Sequence, residues 1–473
     1  MNLGQFFRPV LAAIALAALL TLAGCAVGPN YRTPEIGVPS AWTGTTNMTA
    51  AADRWWAAFK DSTLDSLVSR AVATNLDLRL AESRVRQARA QWGVQFAGFW
   101  PSADAFGDYS RSLASKAPAA VNLYRAGLDA SWELDVFGGT RRAVEAANAD
   151  IAASLADRRD VLVTLLSEVA FDYINLRGLQ RQLVIAKQNL ASQEHSVELT
   201  RKLFGGGLNS KLDVANAEAL VATTRSVVPA LESQVRQTIY SLSVLLAREP
   251  SALLDELSIE APIPVTPPEV PIGLPSDLLR RRPDIRRAEA QLHGATARIG
   301  VAVADLFPKF SLTGTLGTSG DKSSALVKWD NRFYSVGPTV TWSLFDAGRI
   351  RANIKVQNEL QEQALLGYQK ALLTALSDVE GSLVAYVKEQ QRRQALAEAV
   401  TLNQEAVTLA TQLYTQGQTD YLNVLSAQRS LFASQDTLVQ SERAVATDLV
   451  AVYKALGGGW EAERGAQEDR RQQ

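Results

Sequence analysis

AGLDASWELDVFGG (residues 126–139) returns, altered but recognisable, as VGPTVTWSLFDAG (residues 336–348), and this repetition decides the fold of the 473-residue chain. Trp132 and Trp342 stand 210 positions apart, as do Gly207 and Gly417, and Val214 and Val424. FAGFWPSADAFGDYS (96–110) likewise parallels VADLFPKFSLTGTLG (303–317). The chain is therefore a duplication, and each half reads helix, two strands, long helix, glycine turn, helix.

Alternation supplies the strands. Leu128, Ala130, Trp132 and Leu134 alternate with Asp129, Ser131, Glu133 and Asp135. In the second half Phe310, Leu312 and Leu316 alternate with Ser311, Thr313 and Thr315, and Tyr334, Val336, Val340, Trp342 and Leu344 with Ser335, Thr339, Thr341 and Ser343. Period two over such lengths predicts strands with one apolar and one polar face. The fourth strand, near Pro101–Tyr109, is expected because its repeat partner is one.

The helices come from long stretches without proline. Arg141–Leu203 holds one interior glycine, Gly178, and would reach roughly 95 Å at helical rise; Arg349–Gln416 is its twin. The returning helices carry seven-residue columns, Val214, Val221, Val228, Val235 and Leu242, then Val424, Leu431, Leu438, Val445 and Val452. A strict heptad implies coiled-coil packing. Pro229 is expected to kink or end its helix. These boundaries divide the chain into a leader (1–24), an N-terminal segment (25–73), a first repeat (74–260), a proline-rich linker (261–282), a second repeat (283–456) and a polar tail (457–473).

Cys25 is the sole cysteine, so no internal disulfide exists. An apolar run from Val10 to Leu20 precedes it, too short to span a bilayer and shaped like a signal peptide. Leu22, Ala23, Gly24 and Cys25 resemble the bacterial lipobox. The resemblance implies a cleaved leader, acylation of Cys25 and, with Ala26 rather than an acid next, sorting to the outer membrane. Without residues 1–24 the chain keeps 47 of its 48 Lys and Arg against 49 Asp and Glu, a balance that gives no reason to expect nucleic acid.

Strands that alternate in this way leave two open edges, and lipid offers free backbone groups no partner. One chain cannot close such a barrel, but a symmetric homo-oligomer can. GCAVGPNYRTPEIGVPSAW, WWAAFKDSTLDSLVSRAVATNLDLRLAESRVRQARA and LLRRRPDIRRAEAQL, with Arg281, Arg282, Pro283 and Asp284 in order, resemble the hallmark segments of the TolC-like outer-membrane factors, in their NodT-type lipoprotein branch. The resemblance implies an α+β membrane protein. Its homotrimer would form a twelve-stranded β-barrel, four strands per protomer, continued by an α-helical coiled-coil barrel through the periplasm. It also implies the exit duct of a tripartite efflux pump in the outer membrane, working with a periplasmic adaptor (membrane fusion) protein and an inner-membrane RND-type transporter. A type I protein or peptide secretion duct and a non-conducting coiled-coil lipoprotein are the alternatives.

Within that frame Gly205, Gly206, Gly207, Leu208 and Asn209 form one adaptor-docking tip, and Gly417, Gln418 and Thr419 the other. Tyr414 matches a tyrosine that restrains the closed tunnel end. Asn423 and Ser426 occupy the positions where family channels carry aperture acids, with Asp420 one turn nearer the tip. Asp284, after Pro283, reads as a helix cap. Neither His195 nor His293 has a cysteine, serine elbow or carboxylate constellation beside it in sequence, so no catalytic residue, metal site or cofactor is expected.

Overall fold

The computed structural model describes residues 26–35, 37, 39, 42, 54–113, 119–267 and 281–460. The expected leader, Cys25, the middle of the linker and the tail beyond Trp460 lie outside them. Helix α1 is Ser62–Thr74 and α2 Leu76–Ala97; strands β1 (Ser102–Ser112) and β2 (Val121–Leu134) lead into α3 (Gly139–Gly205) and α4 (Lys211–Leu245). The second half runs α5 (Pro283–Ala304), β3 (Lys309–Gly320), β4 (Arg332–Thr341), α6 (Arg349–Thr415) and α7 (Tyr421–Ala455). The helices match in length across the halves: α2 and α5 have 22 residues, α3 and α6 have 67, α4 and α7 have 35.

Two compact units share these elements. One takes residues up to Ile36, Ser83–Ala156 and Arg286–Lys370; the other takes Gly37–Glu82, Asp157–Ile285 and the residues from Ala371 on.

The first unit is built on one antiparallel sheet in the order β1-β2-β3-β4, which leaves β1 and β4 as edges. Leu128 pairs with Leu316, and Trp132 with Leu312, on one face; Asp129 pairs with Thr315, and Ser131 with Thr313, on the other. The apolar face is bare in the single chain, with Leu316 57% and Val336 62% exposed. The two tryptophans make one contact twice: the Trp132 indole N–H donates to the Phe99 carbonyl at 2.9 Å, and that of Trp342 to the Leu306 carbonyl at 3.1 Å. Each satisfies a carbonyl in the turn between a helix and a strand. Trp342 and Leu344, expected within the fourth strand, lie past its end at Thr341.

The second unit is helical. Heptad positions Val221, Val235 and Leu242 on α4, and Val424, Leu431, Val445 and Val452 on α7, are buried. Gly178 on α3 allows a close approach, since a Cβ there would stand 2.7 Å from Cδ of Arg443 on α7. Helix α4 continues through Pro229 instead of ending there, its other backbone bonds holding the turn on either side.

Asp284 is a first-turn residue of α5, not its N-cap. Its carboxylate accepts from the Arg282 guanidinium at 3.0 and 2.7 Å, and from the Ile285 N–H at 2.9 Å. Arg282 is 8% exposed and also donates to Asp378 at 3.1 Å and to the carbonyl of Ala455, the last residue of α7, at 2.9 Å. These partners raise its pKa against a burial that by itself would lower it. The linker thus ends in a cationic clasp over a helix terminus, where positive charge is favoured. The expected polar tail begins later than residue 457: Trp460 is buried, donates to the Arg281 carbonyl at 2.9 Å and lies under the Arg159 guanidinium.

Arg282→Ala strips two carboxylates and a helix terminus of their partner. Removing one member of a buried pair costs about 3–5 kcal/mol, and the exposure of Asp378 brings the expected loss nearer 2–3 kcal/mol. Heat-modifiability of the assembled protein on gels measures it, and an unchanged transition would show that Arg282 clasps nothing of consequence.

Candidate functional site

The two hairpin ends of the helical unit are one turn built twice. After α3, the Gly207 N–H donates to the Phe204 carbonyl at 3.0 Å and the Leu208 N–H to the Leu203 carbonyl at 2.9 Å. After α6, Gly417 N–H donates to Tyr414 at 3.0 Å and Gln418 N–H to Leu413 at 2.9 Å. Both are helix stops that need one residue in the left-handed region, filled by Gly207 at φ +74° and Gly417 at φ +72°.

Beyond the turns the twins differ. Ser210 caps α4 in a reciprocal capping box with Asp213. Asp420, the N-cap of α7, makes no side-chain cap bond, and the Asn423 amide instead donates to the Thr419 hydroxyl at 2.6 Å. Asp213, the repeat counterpart of Asn423, is therefore spent on its own helix. Asn423 and Ser426 are exposed on α7, and so is Arg429, which has no ion pair among the described residues.

The hairpin ends meet through an aromatic cluster. Tyr414 and Tyr421 stack edge to face at 5.3 Å and are buried with Val197, Ala217, Leu220, Val221, Val424 and Leu425. Burial, then the neighbouring Tyr414, push the Tyr421 hydroxyl up to about 12, so it stays protonated at any physiological pH. The Asn209 amide donates to the Tyr414 hydroxyl at 2.9 Å and to the Thr200 carbonyl at 3.0 Å, tying the first hairpin end to the second. Of the expected tip residues, Asn209 thus points inward. Gly205, Gly206, Gly207, Leu208, Gly417 and Gln418 are exposed, and Leu208 (76%) and Leu212 (67%) present bare apolar surface beside them. Such surface in water marks contact sites.

Cys25 is not described, but its successors are. The Val27 N–H donates to the Phe137 carbonyl at 3.1 Å, and Arg142 donates to the Val27 carbonyl at 3.1 Å and to Asn30 at 2.7 Å. The chain is fastened at the foot of β2 within two residues of the cysteine. Of the histidines, His293 stacks on Tyr31 at 4.4 Å with Nε2 3.0 Å from Glu145. Among the described residues no cluster of metal-ligating side chains forms.

The family model described as outer membrane efflux protein matches residues 67–248 and 274–458, both repeats in turn. The chain belongs to that family. The pyoverdine export outer membrane protein OpmQ of Pseudomonas aeruginosa is 35% identical over 464 residues, 95% of this chain and 97% of its own. Nodulation protein T of Rhizobium leguminosarum bv. trifolii is 31% identical over 448 residues, 93% and 96% of the two chains. The solved outer-membrane channel OprN superposes with a TM-score of 0.86 at 35% identity, covering 92% of this chain and all of its own. The chain is thus an outer-membrane efflux channel, as the lipobox-led and R-R-P-D segments implied.

Sequence reading missed the Asn209 to Tyr414 bond and the burial of Tyr421. Tyr421 is the apolar residue preceding the heptad column of α7 by one turn, and that spacing was the available signal.

Proposed function

We propose that the chain is the outer-membrane exit duct of a tripartite efflux pump. The observation that carries this reading is the sheet: one face apolar and bare, the other polar, with β1 and β4 unpaired, in a member of the outer membrane efflux family. Three copies pair β4 of one with β1 of the next, closing a twelve-stranded barrel that removes every edge and turns the apolar face to lipid. The helical hairpins continue it as a tunnel, whose glycine turns dock a periplasmic adaptor fed by an inner-membrane transporter. Cys25, acylated, anchors the foot of the barrel, while Tyr414, Asp420, Asn423 and Ser426 form the aperture. The duct performs no catalytic step. The relative named for pyoverdine export makes small molecules a better cargo than polypeptides.

Purified protein is expected to run as a heat-modifiable trimer and to give unitary currents in a planar bilayer. A stable monomer, or trimers that never conduct, would overturn the reading.

A further inference from the structure

On the polar face one row is aromatic; besides it, β2 places Leu123 and Val121 on this face, at the hairpin end. Phe106 pairs with Gly127, Gly127 with Gly317, and Gly317 with Phe333, so a single row crosses all the strands as Phe, Gly, Gly, Phe. The row lies in the phase of Asp104, Asp129, Ser131 and Thr315, opposite that of Leu128, Trp132 and Leu316. A Cβ at Gly127 would stand 2.9 Å from Cζ of Phe106, and one at Gly317 would stand 2.9 Å from Cζ of Phe333. Each ring therefore folds from an edge strand across the glycine of its inner neighbour. The glycines are obligatory here: any side chain would displace a ring and also meet the backbone of the facing strand.

The next row holds Asp104 opposite Asp129. Asp129 accepts one hydroxyl bond, from Thr315 at 2.6 Å, and Asp104 has no partner among the described residues. Like charges directly opposed destabilise a sheet. On the other side of the ring row Arg125 neutralises Asp108, with Nε 3.1 Å from the carboxylate. The aromatic row thus has a net-negative neighbour on one side and a neutral one on the other.

We infer that this row is a binding platform in the barrel lumen for planar aromatic cations, with Phe106 and Phe333 supplying the apolar faces and Asp104 and Asp129 the counter-charge. The inference rests on the polar face lining the lumen, as in the proposed duct. Aromatic faces attract cations, and a carboxylate within reach adds a Coulombic attraction; the other apolar side chains of this face in β2, Leu123 and Val121, stand opposite Ser110 and Ser112 at the far end of the hairpin, away from the carboxylate pair. Each protomer carries one platform.

The test is equilibrium binding to the purified, detergent-solubilised full-length protein, which does not require conduction. The probe is N-methylacridinium, followed by its fluorescence, with tetraethylammonium and naphthalene sulfonate as competitors. Replacing Phe106→Ala and Phe333→Ala together is expected to weaken binding of the probe about tenfold, a loss in the range of cation–π contacts. Asp104→Asn with Asp129→Asn should weaken the probe and remove its preference over naphthalene sulfonate. Should the ring variant fail to assemble, Phe106→Leu and Phe333→Leu keep the bulk and should still weaken the probe. Trimers in which both ring variants bind as tightly as the parent, or in which the anion competes as well as the cation, would overturn the platform. Trimers that bind the probe yet never conduct would leave the platform standing and sink the duct.

Discussion

Tyr414→Phe is expected to shift the aperture of the assembled channel toward open by about a hundredfold. The substitution removes one hydroxyl and little else: the ring keeps its place against Tyr421, and the Asn209 amide keeps the Thr200 carbonyl. Lost is the bond from Asn209 to the Tyr414 hydroxyl, at 2.9 Å, which opening of the proposed aperture by parting the two hairpin ends would break. An intramolecular hydrogen bond contributes about 1 kcal/mol net, because water replaces it on opening. In a homotrimer that opens as one body the loss counts in each protomer, giving roughly 3 kcal/mol and a factor of about 100 or more. Open probability and mean open time in single-channel records measure it. Asn209→Ala should act in the same direction, and since it removes the Tyr414 bond together with that to the Thr200 carbonyl, the double substitution should add little to Asn209→Ala alone. Records identical to the parent's would show that the restraint lies elsewhere.

The parts of the fold that sequence disclosed are those fixed by periodicity. The strands followed from alternation around Trp132 and Leu312, and the matched helix lengths from the spacing that relates Gly207 to Gly417. Of the two expectations for Pro229, an end to the helix did not follow, because a helix of 35 residues has bonds enough to carry one missing donor. Residues 457–460 misled for a different reason: GGGW has the composition of a tail, yet the glycines are what let Trp460 turn back onto Arg281 and Arg159. The Asn209 to Tyr414 bond joins residues 205 positions apart, and nothing local announces it. The phenylalanine row was in principle legible, since Phe106 and Phe333 break the polar phase only where Gly127 and Gly317 stand opposite. That pairing becomes visible once the register is known.

Introducing Asn423→Asp together with Ser426→Asp is expected to make a weakly selective aperture strongly cation-selective and sensitive to divalent block. Both residues are exposed on α7 of the single chain, and the other charges on this part of the helix are Asp420 at its start and Arg429 one turn beyond Ser426, without an ion pair among the described residues; the two oppose each other. In the proposed aperture these positions therefore have little net field to offer an ion. The double substitution adds two carboxylates per protomer, and three protomers bring six to one level. A cation about 10 Å from each gains ~0.4 kcal/mol per carboxylate at the dielectric of water. Salt screening at that range leaves about 1–2 kcal/mol in total, a roughly five- to thirtyfold rise for K⁺ at the constriction and a matching fall for Cl⁻. The helix should tolerate the change. An Asp at 423 sits in the first turn, where the dipole favours negative charge, and can accept from the Thr419 hydroxyl to which Asn423 now donates. It would also reproduce the acid that the twin helix already carries at Asp213. Reversal potential under a salt gradient reads the first effect; block by millimolar Ca²⁺, for which clustered carboxylate oxygens are the natural ligands, reads the second. Arg429→Gln in the native background should move the reversal potential in the same direction by a smaller step. Trimers of the double variant with unaltered reversal potential and no divalent block would remove Asn423 and Ser426 from the constriction.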